Sequence, residues 1–207
     1  MLTLTIDSAT EACSVALHDG GVLVAGDWRM LGRGHAEQLV PMIAALPGQG
    51  RAPRIAVALG PGSFTGLRVG LAAARALALA WRAELVGYPT LALLAAMARA
   101  ERGDQPVTVA TTGGHGEWFV QDFGADGAEL GPLQSLPPAA AAARPGADLV
   151  AGSQAEALVA ARGTGTALPL WPDARQVALL PAAAFSPDVT LRYGRAPDAR
   201  LPGGIAP

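Results

Sequence analysis

The stretch Gly60-Pro61-Gly62-Ser63-Phe64-Thr65-Gly66-Leu67-Arg68-Val69-Gly70 constrains the fold more than any other part of this chain: it packs four glycines into eleven residues. An apolar, strand-like run, Ile55 to Leu59, leads into it, and a helix-like run, Leu71 to Trp81, follows. A strand, a glycine turn and a helix in that order either receive an anion at the helix N-terminus or bring two backbones into contact. Gly60 and Gly62 sit where a chain leaving a strand must turn. Gly66 and Gly70 fall inside the helical period, where each costs about 1 kcal/mol relative to alanine. A loss of about 2 kcal/mol is large for a domain stable by about 5–15 kcal/mol, so a close neighbour should offset it. The four-residue spacing puts Gly66, Gly70 and Ala74 on one helix face, with Ala73 and Ala78 beside them. That face reads as a flat groove for a neighbouring helix.

The chain has 207 residues, 51% of them hydrophobic and 15% charged, with a formal charge of −2. That length supports one large or two small cores. The charge argues against a nucleic-acid footprint on this chain itself and leaves open RNA bound through a partner. All 15 basic residues are arginine. The absence of lysine excludes a Walker P-loop and Schiff-base chemistry. Cys13 is the sole cysteine, which excludes an intramolecular disulfide and a cysteine metal cluster; its alternating apolar setting makes it a buried small residue. Asp7 and Glu11 interrupt any secretory signal. Arg68 and Arg75 break the run Leu67 to Trp81, and Pro89 breaks Leu85 to Ala98, so no membrane span is expected. The expectation is a soluble, cytoplasmic protein without membrane contact.

Alternation predicts a strand over residues 2–7, with Leu2, Leu4 and Ile6 on one face and Thr3, Thr5 and Asp7 on the other. Cys13, Val15 and Leu17 mark a second strand, Asp19-Gly20-Gly21 a hairpin turn, and Val22, Val24 and Trp28 a third strand. A helix begins near Gly34-His35 with Leu39, Val40, Ile43 and Leu46 as its apolar stripe, and Pro47-Gly48 ends it. After a loop over 47–54 come a strand over 55–59, a helix over 64–82, a strand over 85–88 and a helix over 90–101. The pattern then partly restarts: a strand from Val107 to Thr112, a turn over 113–116 and a strand from Glu117 to Phe123 echo the opening hairpin, as in a duplicated fold. A Pro- and Ala-rich stretch over 132–145, a strand at 148–151 and helices over 153–162 and 173–180 follow. Residues 194–207 lack any period and read as disordered.

Asp7 ends the first strand and is followed by Ser8, Thr10 and Glu11. Such carboxylates and hydroxyls can hold a metal-bound phosphate, or they can simply close an Asx or Ser/Thr turn. Ser63 reads as a helix N-cap worth about 1 kcal/mol; no histidine is near in sequence to act as its base, and Pro61 breaks a G-x-S-x-G elbow. Thr65 stands where a dinucleotide fingerprint needs glycine. The N–H groups of residues 64–66, with Arg68, can still bind an anion, or the turn can serve tight packing alone. The anion- or nucleotide-proximal set is thus Asp7, Ser8, Thr10, Gly60, Gly62, Ser63, Thr65, Gly66 and Arg68. His18, His35 and His115 share no metal-ligand spacing, so no metal is expected; His35, at a helix start, reads as a surface or capping residue.

Three segments in this order, Leu4 to Leu17, His35 to Ile43 and Gly60 to Gly70, resemble the TsaB (YeaZ) family, strongly over residues 1–101 and weakly beyond. The resemblance implies an α/β, two-lobed, actin-like (ribonuclease H-like) fold of the actin, sugar-kinase and heat-shock-ATPase superfold. It has mixed sheets flanked by helices and a reduced second lobe. Residues 1–101 would form the first lobe, 102–193 the second, and 194–207 a flexible tail. The implied role is a non-catalytic scaffold subunit of the tRNA threonylcarbamoyladenosine transferase complex, with no catalytic residue of its own. A TsaD partner performs the transfer to the adenosine next to the anticodon, a TsaE-like ATPase joins, and tRNA is met only through the complex. The chain alone would form a homodimer and bind no cofactor; the partner boundary is the place open to ATP or ADP. The alternative is a stand-alone ATP-dependent enzyme of the same superfold using Asp7, Ser8 and the glycine turn. A peptidase lacks both its metal-ligand and its serine–histidine spacing.

The second half departs from the family pattern. Thr112 to Trp118 replaces an Asp-Ala-Arg turn and a Glu-Val-Tyr strand, leaving Glu117 and the aromatic Phe119; a late Tyr-Leu-Arg segment becomes Thr190-Leu191-Arg192. The expected partner interface lies on helices 35–46 and 64–82, through His35, Leu39, Met42, Ile43, Leu67, Gly70, Leu71, Ala74 and Ala78. On that reading Gly70→Leu would abolish co-purification with the partner and leave the isolated fold intact.

Overall fold

The computed structural model describes residues 1–194, and among these the chain forms two five-stranded mixed sheets. The first opens as an antiparallel meander of β1 (Leu2–Asp7), β2 (Ala12–Asp19) and β3 (Val22–Met30). Gly20 and Gly21 make the β2–β3 turn at φ 58 and 88°, values that glycine reaches without steric cost. Helix α1 (His35–Ala44) leads to β4 (Arg54–Ala58), parallel to β1, and α2 (Phe64–Trp81) leads to β5 (Glu84–Tyr88), parallel to β4. The strand order is β3-β2-β1-β4-β5.

Helix α3 (Thr90–Arg102) carries the chain to the second sheet. There β6 (Val107–Thr112), β7 (Trp118–Phe123) and β8 (Gln134–Leu136) form an antiparallel meander. Helix α4 (Pro138–Ala143) leads to β9 (Leu149–Ala151), parallel to β6, and α5 (Ala155–Arg162) to β10 (Thr166–Leu168), parallel to β9. Read from the meander edge, the order β8-β7-β6-β9-β10 repeats that of the first sheet strand for strand. The echo of the opening hairpin is therefore a duplicated topology. Helix α3 serves both halves: Leu91 and Leu94 enter the second core, while Leu93 and Met97 pack with Ala56 and Val86 of the first sheet.

Several sequence expectations are corrected. Strands β8 and β10, of three residues each, and α4, within the Pro- and Ala-rich stretch, are too short to show a period. Residues 174–179 form a 3-10 turn, not an α-helix. In α1 the inward stripe runs through Leu39, Met42 and Ile43, and Val40 is 56% exposed, because Met42, not Val40, points to the sheet. Both faces of β1 are buried, including Thr5 and Asp7. What covers the polar face is the chain beyond β10. Ala174 N–H donates to Ser14 Oγ at 2.9 Å, Trp28 Nε1 donates to the Pro172 carbonyl at 3.1 Å, and His18 Nε2 meets the Arg175 carbonyl at 3.1 Å. The segment expected to finish the second lobe thus lies on the first sheet. Apart from Gly194, the tail expected to be flexible falls outside the described residues.

By length and composition α2 is apolar enough to cross a membrane, against the expectation from Arg68 and Arg75. In this fold it lies along β4 with Gly66, Leu67, Gly70, Leu71 and Ala74 buried. Its glycine face is covered by the chain's own β1–β2 turn, not by a neighbouring helix. A Cβ at Gly62 would collide with the Ala9 carbonyl, one at Gly66 with the Ser8 carbonyl, and one at Gly70 with the Ser8 hydroxyl. Ser63 N–H donates to the Ala9 carbonyl at 2.7 Å, and Ser8 Oγ donates to the Gly66 carbonyl at 2.9 Å. Gly70→Leu is therefore a core-breaking change, and the expectation of an intact fold is overturned. For Gly66→Ala, helix propensity alone predicts a gain of about 1 kcal/mol. The contact with Ser8 predicts a loss of about 1–3 kcal/mol. Urea denaturation should show the loss.

Candidate functional site

A cleft of about 1110 Å³ runs between the two halves. One wall is the β1–β2 turn (Ala9, Thr10, Glu11) with the first turns of α1 and α2. The other is the β6–β7 turn, Thr112 to His115, with Phe119; Tyr193 lies at its edge. Two helix N-termini open into this space. Helix α1 starts after Gly34 with no side-chain cap, and α2 starts after Ser63, whose hydroxyl accepts from Gly66 N–H at 3.3 Å. Free N–H groups at such ends favour anions, and Arg33 and Arg68 add positive charge. Glu11 and Glu37 oppose it.

Of the nine residues expected near an anion, Thr10, Gly62, Ser63, Thr65, Gly66 and Arg68 line the cleft, and Asp7, Ser8 and Gly60 do not. Asp7 is 1% exposed; it accepts from Ala9 N–H at 3.0 Å and from the Tyr88 hydroxyl at 3.0 Å. Burial pushes its carboxyl up to about 6, against the lowering effect of those two hydrogen bonds. Ser8 is spent on Gly66, and Thr10 Oγ1 accepts from Ala12 N–H at 3.3 Å. The turn reading therefore describes Asp7 and Thr10. Among the described residues no group of three or more His, Cys, Asp or Glu side chains is arranged to hold a metal.

His35 is neither a surface nor a capping residue. It is 8% exposed, and its Nε2 meets the Thr10 carbonyl at 2.9 Å, fastening the start of α1 to the β1–β2 turn. Phe64, Tyr193 and Arg68 form a triangular cluster: the Arg68 guanidinium carbon lies 3.7 Å over the Phe64 ring and 5.8 Å from the Tyr193 ring, and the two ring centroids are 5.2 Å apart. Sequence reasoning singled out the Thr112–Gly116 turn only as a departure from a pattern and passed over Tyr193. A second-half turn at the place equivalent to the β1–β2 turn was the signal for the first; nothing local marks the second.

The residues expected at a partner interface are placed differently. His35, Leu39, Met42, Ile43, Leu67, Gly70, Leu71 and Ala74 are buried within this chain, and Ala78 is half-buried against the same core. They hold the first lobe together. The exposed apolar side of the two helices carries Val40, Pro41 and Ala44 on α1, with Ala72, Ala76 and Leu79 on α2; Leu79 is 84% exposed.

Residues 29–134 match the family model for TsaD, tRNA N6-adenosine threonylcarbamoyltransferase. The tRNA threonylcarbamoyladenosine biosynthesis protein TsaB of Escherichia coli K12 is 35% identical over 131 residues, 61% of this chain and 56% of that protein. The TsaB of Haemophilus influenzae is 38% identical over 47% of this chain and 42% of its own length. The chain thus spans about half the length of these curated relatives. YeaZ from Pseudomonas aeruginosa aligns with a TM-score of 0.72 and 28% identity, over 86% of this chain and 89% of its own. A solved structure described as similar to peptidase YEAZ from Pseudomonas aeruginosa gives 0.68 and 30%, over 84% and 87%. The ethanolamine utilization protein EutJ of Carboxydothermus hydrogenoformans shares the fold at a TM-score of 0.51 and 14% identity, over 86% and 89%. The duplicated two-sheet architecture is the actin-like fold.

The buried Asp7 carboxyl carries a pH signature. Its folded pKa, about 6, stands above its ordinary value of 3.8, so the folded state favours the neutral form. The stability this gives is complete below pH 4 and is lost as pH rises to about 6. Asp7→Asn, which stays neutral, should gain on the natural chain by on the order of 3 kcal/mol between pH 4 and pH 7. Parallel urea titrations at the two pH values measure this, and an unchanged difference refutes it.

Proposed function

This chain belongs to the TsaB (YeaZ) family, and from that membership we propose that it is a non-catalytic subunit of the machinery that makes threonylcarbamoyladenosine in tRNA. It acts by docking α1 and α2 on a TsaD-like partner that performs the transfer. The observation that carries this reading is the exposed apolar side of those helices. Val40 and Ala44 lie one turn apart on α1, as do Ala72 and Ala76 on α2, and Leu79 projects beyond them. The two helices pack against each other, and each carries small and aliphatic side chains on its exposed side. Isolated apolar residues on a surface need no explanation, but a contiguous patch on two adjoining helices marks an interaction site. Burying Leu79 alone contributes about 1.5–3 kcal/mol.

The other partners belong to the same proposal. A TsaE-like ATPase joins the pair, tRNA is met through the assembled complex, the same helix face pairs two copies when the partner is missing, and the complex works in the cytoplasm. ATP or ADP bound by this chain through a metal does not fit its residues. The strand-end carboxylate Asp7 is buried and engaged by Tyr88, and the glycines of the turn are filled by the carbonyls of Ser8 and Ala9. The stand-alone ATP-dependent enzyme therefore lacks the groups it would use, and no reaction step is assigned to this chain.

The test is co-purification with the TsaD-type subunit of the same organism. Leu79→Glu combined with Ala76→Glu should weaken the complex by at least about a hundredfold, from lost burial and a desolvated charge. The melting temperature of the isolated chain should stay unchanged, because both side chains face solvent. Undiminished capture rejects this surface. Threonylcarbamoyl transfer by the purified chain alone rejects the non-catalytic role.

A further inference from the structure

Between Glu37 and Glu84 the chain carries five arginines and no acidic residue, although over its whole length 17 acidic residues outnumber 15 basic ones. Of the five, Arg54 is paired with Glu84 at 3.4 Å. Arg68, Arg75 and Arg82 recur every seven residues along α2 and its C-cap. Seven residues fall short of two helical turns by about 20°, so their Cα atoms stand within about 40° of one another and about 10.5 Å apart along the axis. All three residues are exposed. Arg68 is held in place, its guanidinium over the Phe64 ring and its Nε donating to the Tyr193 hydroxyl at 3.1 Å. Arg75 and Arg82 make no hydrogen bond or ion pair among the described residues. Helix α2 holds no acid, and the exposed residues of α1 include one charge, Glu37. Ala72 and Leu79 fill the intervals of the row, so Arg68, Ala72, Arg75, Leu79 and Arg82 follow the four–three spacing of a helix seam.

We infer that this arginine row selects the docking partner by charge: the TsaD-like subunit presents carboxylates at matching seven-residue intervals beside its own apolar helix surface. The inference rests on the docking proposed above and adds the chemistry of the surface that α2 meets. Exposed ion pairs contribute little to folding, so a row of cations without partners is not there for the fold. Across an interface the same charges steer encounter, fix register and reject wrong partners. A second copy of this chain brings an identical row and, on these two helices, no acid but Glu37, so like charges meet and the row favours a different chain. A phosphate backbone would satisfy the arginines and leave Ala72 and Leu79 unrewarded. A helix with an apolar seam flanked by Asp or Glu satisfies both, because each rung of the row then meets an acid at the same height.

The test is the association rate with the TsaD-type subunit of the same organism at about 20 mM and about 0.5 M salt, where screening lengths are about 20 Å and about 4 Å. Arg75→Gln combined with Arg82→Asn should slow association about tenfold at the lower salt and less than about twofold at the higher. Asparagine is chosen at 82 because that residue caps the helix at φ 53°, a left-handed conformation asparagine tolerates. Arg102→Gln removes an exposed arginine from α3 instead and should change the rate by less than about twofold. Equal rates for the natural chain and the double variant at low salt overturn the row, as does a comparable slowing by Arg102→Gln. Leu79→Glu with Ala76→Glu separates the two readings: if it breaks the complex while the arginine variant does not, the docking surface stands without the row. If the arginine variant slows association and the Leu79 and Ala76 pair has no effect, the row stands and the apolar surface falls. Purified tRNA bound by the isolated chain, lost in the arginine variant while its rate with the protein partner is unchanged, assigns the row to RNA and overturns the inference.

Discussion

The contact between the β1–β2 turn and the glycine face of α2 is what the rest of the first half depends on. It brings a helix to within backbone distance of a strand end, which only residues without a Cβ permit at Gly62, Gly66 and Gly70. Ser8 and Ser63 then cross-link the two segments by hydrogen bonds in opposite directions along the chain. Because α2 lies so low on the sheet, its first turn opens at the cleft, its buried side fills the core and its far side is left to solvent. The unfavourable helix propensity of the glycines is offset by contacts inside this molecule.

The same contact explains which features were legible in the sequence. Gly66 and Gly70 announced a close approach, and a close approach exists; spacing could not say whether the neighbour was another helix or a strand end. The interface residues failed for a related reason. Leu39, Met42 and Ile43 are the apolar side of an amphipathic helix, and periodicity identifies that side without telling a core from a partner. Once the sheet claims it, the remaining side, with Val40 and Leu79, must meet whatever lies outside. The strand–helix order of the first half was readable because its elements are long enough to show a period. Strands β8 (Gln134-Ser135-Leu136) and β10 (Thr166-Ala167-Leu168) were not: at three residues each they are too short to show alternation, and unlike the equally short β9 (Leu149-Val150-Ala151) they are not wholly apolar.

The cleft shows a second limit. Thr10, Ser63 and Arg68 could be named from one half of the chain, but the opposing wall comes from a turn some 50 residues further on. Its position follows from the repeated topology, not from its own residues. Tyr193 depends on a strap that crosses back over the first sheet after the second is complete, a path no local pattern encodes. Asp7 illustrates the reverse case, a residue placed correctly and given too large a role. Its position at a strand end was evident, whereas the Tyr88 hydroxyl that occupies it arrives from β5, two strands away in the sheet.

The two halves share a topology and differ in reach. Helix α2 has 18 residues and its counterpart α5 has 8, which corresponds to about 27 Å against about 12 Å. Helices α1 and α4 differ in the same sense, with 10 and 6 residues. Only one half can therefore extend a broad helical flank beyond its own sheet. The repeat is symmetric in wiring and lopsided in surface, so any assembly founded on it acquires a built-in direction.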